Sequence, residues 1–255
     1  SLDNLVVEAT GSVPGRPLNQ FALDQHDGYL RVATTVGEGG FVGLGSLSFG
    51  MGGSSANDVY VLDGDLDLAG SVTGLGLTER IYSARFVGDT GYLVTFRQID
   101  PFYVFDLSDP RNPKRTGELK IPGFSSYLHP VGANHVIGVG RENNGVKVSL
   151  FDVADPTRPA EADKLILDSV VSDVLENHRA FLIDEKHSVF FVPGSPNGYV
   201  ISYSGGVLKI VKELAGSGFR RALFIDDYLY VISDSQITVL DENDWETVGG
   251  LDLNE

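Results

Sequence analysis

The sequence predicts an all-β protein assembled from repeated four-stranded units, and three observations carry that expectation. Short apolar runs alternate with turn residues along nearly all 255 residues, and the 31 Gly and 11 Pro follow no Gly-x-y period, so they read as punctuation between many short elements. No helical period lasts more than about two turns, except across Ser169 to Asn177, which reads as one short helix or an irregular loop. A rhythm of four strands also recurs: an apolar strand, a second alternating strand, a third that often ends in Asp, and a more polar fourth.

The repeat is carried by Tyr82 to Lys120, Tyr127 to Leu167, His178 to Leu214 and Arg220 to Leu253. Its best internal match is the exit of the third strand. Tyr103-Val104-Phe105-Asp106-Leu107-Ser108-Asp109-Pro110-Arg111-Asn112-Pro113 aligns with Ser149-Leu150-Phe151-Asp152-Val153-Ala154-Asp155-Pro156-Thr157-Arg158-Pro159. Asp caps its own backbone in a turn and Pro cannot donate to a ladder, so the next strand starts at a sheet edge. An earlier copy runs from Leu18 to Gly76, interrupted by a loop from Gly37 to Gly53 with 8 Gly in 17 residues.

Second strands begin near Tyr29, Tyr92, Val136, Val189 and Leu229, at intervals of 63, 44, 53 and 40 residues, against about 40 to 50 for the blades of a propeller. The reading is therefore a β-propeller of about five four-stranded blades, at 18–76, 82–121, 127–167, 178–214 and 219–253, in one domain spanning 1–255. A β-sandwich is the alternative. Asn4 to Gly15 reads as an orphan outer strand completing a blade encoded upstream, which leaves open whether the five blades close a ring.

Composition limits function. A formal net charge of -16 repels phosphate backbones and argues against nucleic acid as partner. The uncharged run Phe41 to Asn57 is too rich in Gly and Ser for a membrane-spanning helix. The chain has no Cys, which removes disulfides and thiolate chemistry and leaves the redox compartment open. Carboxylates split as 23 Asp to 12 Glu, which suits either a salt-rich environment or simple solubility. The start at Ser1, with neither Met nor a basic n-region, reads as a processed or excised piece.

Five segments carry a resemblance: Val13 to Asp24, Gly28 to Thr35, Glu79 to Phe86, Tyr92 to Pro101 and Gly117 to Pro130. In order and wording they resemble the secreted archaeal and bacterial β-propeller domain family distantly related to WD repeats. The likeness is strong over about residues 5 to 155 and continues by blade rhythm alone. It implies a propeller fold, a longer parent protein and export to the cell surface or medium. It implies no reaction.

The search for chemistry is mostly negative: Gly-x-Ser-x-Gly, His-Glu-x-x-His, Gly-x-Gly-x-x-Gly and the phosphate-binding Gly-Lys-Ser/Thr are all missing from the sequence. Asp63-Gly64-Asp65-Leu66-Asp67 spaces three carboxylates as a calcium loop does, but Leu68 and Gly74 stand where an EF-hand needs Gly and Glu. A surface turn or a calcium site of another kind remains, and no other cofactor is expected.

The densest polar cluster is Phe124-Ser125-Ser126-Tyr127-Leu128-His129-Pro130, bridging an outer strand to the next innermost one. His129 reads either as a base or metal ligand, with Arg85, Arg97 and Asp100 as partners, or as a fastener between blades. The other four histidines lie scattered beside predicted turns and read as solvated. Arg80, Arg85 and Arg97 could hold a carboxylate or sugar acid, or pair with Asp89, Asp100 and Asp106. Tyr82, Tyr92, Phe96, Phe102, Tyr103 and Phe105 alternate along strands and should fill space between blades.

The expected function is a non-enzymatic scaffold of a secreted or cell-surface protein that binds a protein or glycan on its loop face. Candidate binding residues are Arg85, Arg97, Asp100, Tyr127 and His129. The alternative is a metal-dependent hydrolase using His129 and Asp carboxylates in an axial channel.

Overall fold

The computed structural model describes residues 7–37, 43–44, 47–48, 55–96 and 100–253; side chains are described outside 38–54 and 97–100. The first sheet holds β1 (Leu23–His26), β2 (Tyr29–Val36), β5 (Ala56–Leu62) and β6 (Leu68–Leu75), in that order. Between β2 and β5 lies a small hairpin of β3 (Gly43–Leu44) and β4 (Leu47–Ser48), inside the Gly-rich insert, the rest of which falls outside the described residues.

Four more four-stranded antiparallel sheets follow in strict sequence order. The second contains β7 (Arg80–Val87), β8 (Thr90–Phe96), β9 (Asp100–Asp106) and β10 (Lys114–Ile121), and the third β11 (Phe124–Val131), β12 (His135–Glu142), β13 (Gly145–Asp152) and β14 (Ala160–Leu167). The fourth contains β15 (Leu182–Asp184), β16 (Val189–Pro193), β17 (Gly198–Ser202) and β18 (Lys209–Leu214), and the fifth β19 (Phe219–Ile225), β20 (Tyr228–Ser233), β21 (Gln236–Asp241) and β22 (Thr247–Asp252). These are the expected five all-β propeller blades.

Ser169 to Asn177 forms a single 3-10 turn, Asp173–Leu175, in which the Ser172 hydroxyl accepts from the Val174 N–H. A second such turn, His178–Ala180, delays the fourth sheet to Leu182. Among the described residues Val7 to Thr10 join no ladder, and the first backbone pairing is the bridge of Arg16 to Thr35.

The chain divides into two compact units, Ser1–Phe124 with Asp155–Pro159, and Ser125–Ala154 with Ala160–Glu255. In the first, Ala22, Ala33, Val59, Leu75, Ile81, Ala84 and Leu93 form a core between sheets one and two. Buried Arg31 crosses the same boundary: its Nε donates to Asp24, another guanidinium nitrogen donates to the carbonyl of Gly88, and the group lies 5.3 Å from the Phe86 ring. In the second unit, Val189, Phe191, Val200, Ala222, Leu229, Val231 and Leu240 fill the space between sheets four and five. Tyr103 and Phe105 join the core between sheets one and two, as expected of the aromatics, whereas Tyr92 stacked on Phe102 at 5.7 Å and Tyr82 edge-on to Phe96 at 5.5 Å pair within sheet two.

The Asp-Pro turns form as the sequence predicts. Asp106 Oδ1 accepts from Ser108 N and Asp109 Oδ1 from Arg111 N, while Asp152 and Asp155 repeat both bonds with Ala154 N and Thr157 N. Each turn lies on a glycine of the preceding sheet. A Cβ on Gly70 would come 2.6 Å from Pro113 Cδ, and one on Gly117 2.7 Å from Pro159 Cδ. In the second unit the corresponding turn of sheet four docks through Leu208 N, which donates to Asp163 Oδ2 at 2.7 Å.

Candidate functional site

Each sheet presents two turns at one end: that between its first and second strands and that after its third. In four sheets a backbone bond joins them. Leu107 N donates to the Asp89 carbonyl, Val153 N to Asn134, Tyr203 N to Ser188 and Glu242 N to Asp227, all at 2.8 to 3.1 Å. The residue after the third strand is thus held in a repeated position, packed inward. It is apolar and buried at Leu107 and Val153, and aromatic at Tyr203.

In the fifth sheet that position is Glu242, with a side chain 0% exposed. Neither Oε atom has a hydrogen-bond partner. The nearest groups come from the β15–β16 turn of sheet four: His187 Nδ1 lies 3.5 Å from Glu242 Oε2 and 2.5 Å from Asp184 Oδ2. One ligand atom from each of Asp184, His187 and Glu242 falls within 4.8 Å of the others. Asp184 is buried as well, and its Oδ1 accepts the Lys186 N–H at 2.9 Å. On the far side of the imidazole, Nε2 lies 3.7 Å from Asp227 Oδ1, and Lys186 Nζ pairs with that same carboxylate at the surface.

The electrostatics follow. Burial, reinforced by the facing Asp184 carboxylate, pushes the Glu242 carboxyl up to about 7, with His187 pulling the other way. The hydrogen bond from Lys186 holds Asp227 below the usual carboxylate range. Such an arrangement can take up a proton or a cation at its buried end.

The sequence reading missed this cluster and took His187 for a solvated residue. Its side chain is 17% exposed and fully engaged. The local signal was there, Asp184 and His187 three residues apart in a turn, but Glu242 reaches them only because sheets four and five are neighbours.

The nominated residues are distributed differently. Arg85, in the first unit, stacks its guanidinium 3.6 Å from the Phe21 ring centroid. Arg97 lies outside the described residues, and Asp100 opens β9 without a described side chain. Tyr127 and His129, both in the second unit, do come together. The Tyr127 hydroxyl and His129 Nδ1 are 3.0 Å apart, and both rings lie 5.1 Å from that of Phe181. Asp63 accepts from Asp65 N and Asp67 N, each at 3.0 Å, which is the turn-capping role.

Compared with known proteins, residues 2–245 match the family described as Beta propeller domain. The chain belongs to that family. The propeller is 53% identical over 249 residues to an uncharacterised protein of Archaeoglobus fulgidus, covering 98% of this chain and 37% of the relative. It is 44% identical over 250 residues to an uncharacterised protein of Methanocaldococcus jannaschii, covering 97% of this chain and 38% of that one. The propeller thus spans little more than a third of the curated relatives it matches. Among solved structures, apo AztD from Citrobacter koseri is similar in fold, with a TM-score of 0.58 at 15% identity over 90% of this chain and 58% of that one. Among the described residues, no helix is long and apolar enough to cross a membrane.

Proposed function

We propose that this propeller is a non-enzymatic binding scaffold in a secreted or cell-surface protein, engaging a protein or glycan with its turn-bearing rim. The observation that carries the reading is the repeated bond between paired turns, from Leu107 to Asp89, Val153 to Asn134, Tyr203 to Ser188 and Glu242 to Asp227. It fixes turn backbones while Asp89 stays exposed, and Asp65 stays exposed on the sheet-one turn closed by Asp63 N to the Asp67 carbonyl; rigidly held loops are what a recognition surface needs. The roles of Arg85 on Phe21 and of His129 on Tyr127 favour a structural part for those residues. The extracellular address is supported by the family resemblance in the sequence and by the acid surface.

The test pairs a glycan array and cell-envelope proteins with the purified chain, followed by titration of any hit. Saturable binding weakened at least tenfold by Asp65→Lys with Asp89→Lys, and cleavage of the full-length protein by protease added to intact cells, are expected. Hydrolysis of ester, phosphoester or glycoside reporters that His129→Ala abolishes without lowering the melting temperature would overturn the reading.

A further inference from the structure

We infer that Asp184, His187 and Glu242 form a binding site for one divalent transition-metal ion, of the Zn2+ or Mn2+ kind. This goes beyond the scaffold reading and does not depend on it.

The first argument is the repeat. At one position, locked by the same backbone bond, sheets two and three place Leu107 and Val153, whereas sheet five places a carboxylate. A buried carboxylate with no hydrogen bond is costly and persists only when something compensates its charge. Glu242 has no such bond, and both of its oxygens are buried.

The second argument is the surroundings. Facing Glu242 are Asp184 and His187, with Asp227 and Lys186 beyond them. Lys186 does not neutralise the buried pair, because its ammonium lies on Asp227 at the rim with 63% of its side chain exposed. One ligand atom from each of Asp184, His187 and Glu242 lies within 4.8 Å of the others, and an ion bound at about 2.0 to 2.3 Å from each sits among them once the 2.5 Å contact of His187 Nδ1 with Asp184 Oδ2 opens as its shared proton leaves.

The third argument is the imidazole. Were Nδ1 to bind metal in place of the proton it shares with Asp184, Nε2–H would point at Asp227. At 3.7 Å from Asp227 Oδ1, that N–H needs only a small approach to make the carboxylate–histidine–metal relay that orients ligating histidines. One nitrogen and two carboxylates suit Zn2+ or Mn2+ better than Ca2+ or Mg2+, which prefer oxygen alone.

Chelated chain, desalted after exposure to ZnCl2, MnCl2, CaCl2 or MgCl2, is assayed for bound metal by mass spectrometry and titrated calorimetrically. One equivalent of Zn2+ or Mn2+ per chain is expected, weakened at least tenfold in Glu242→Gln and about ten- to a hundredfold in Asp227→Asn. Glu242→Leu restores the residue type of sheet two, so it should fold, melt higher than the metal-free wild type and retain no metal. Absence of saturable uptake by the wild type, or uptake unchanged in a folded Glu242→Gln or Glu242→Leu, overturns the assignment.

Discussion

Glu242 Oε2 stands 3.5 Å from His187 Nδ1, although one residue follows the third strand of the fifth sheet and the other sits in the first turn of the fourth. The contact is a consequence of blade geometry. Both turns lie at the same end of adjacent sheets, and the bond from Glu242 N to the Asp227 carbonyl aims the side chain inward. A related contact occurs between sheets one and two, where His26 Nε2 lies 3.4 Å from Asp89 Oδ1, but there the buried position holds Leu107 and no carboxylate. Neighbouring blades thus use one frame for a plain surface contact and for a charged cluster.

The docking of Asp-Pro turns on glycine makes Gly117 a steric test. Its Cβ would meet the Pro156 carbonyl as well as Pro159 Cδ, and such overpacking costs about 1 to 3 kcal/mol. Gly117→Ala should lower the melting temperature by several degrees. Gly64→Ala, whose Cβ has 4.0 Å to the nearest atom, should leave it within about a degree. Equal melts for the two variants in scanning calorimetry would show that the turn does not press on β10.

Phe181 ties sheet three to sheet four, lying 5.1 Å from Tyr127 and His129 and 5.4 Å from Phe190. Phe181→Ala removes a large buried ring and should cost about 3 to 5 kcal/mol. Tyr127→Phe deletes only the hydroxyl that meets His129 and should cost about 1 kcal/mol. Urea titration of both variants checks the ordering, and a reversed order would mean that the hydrogen bond, rather than the ring cluster, fastens these sheets.

A buried ion cluster sets an acid limit on stability. Lys147, 2% exposed, lies 3.2 Å from Glu142 and 2.8 Å from Glu161. The Lys164 hydrogen bond, followed by Lys147, holds the Glu142 carboxyl below its usual range. A depressed folded-state value means that stability from this group is present above the unfolded value near 4.5 and is lost as pH falls through the folded one. Melting curves below pH 4.5 should therefore fall less steeply for Glu142→Gln than for the wild type, although the variant starts lower at pH 7. Lys147→Ala, which takes the buried cation from Glu161 while Glu142 keeps Lys164, should cost about 3 kcal/mol, and Lys147→Met less. A parallel acid limb in wild type and Glu142→Gln would assign the acid transition to other groups.

Much of the fold was legible because its signals are local. Alternation, turn residues and the Asp-Pro-x-x-Pro exits each act within a few residues, and the Asp caps of Asp106, Asp109, Asp152 and Asp155 formed where the spacing put them. The short helix or loop at Ser169 to Asn177 resolved to a 3-10 turn because Ser172 caps it from its own side chain.

The site divides along the same line. Tyr127 and His129 are two residues apart on one strand and so share a face, which alternation alone reveals. Glu242 belongs with Asp184 and His187 only through the pairing order of sheets four and five, and its burial only through the bond that repeats from sheet to sheet. The sequence by itself determined the strands, the turns and the five-fold repeat, because hydrophobic alternation and backbone capping are decided by near neighbours. The tertiary structure alone decided which turns meet and which carboxylate is withdrawn from water, because burial and charge proximity depend on residues distant in the chain.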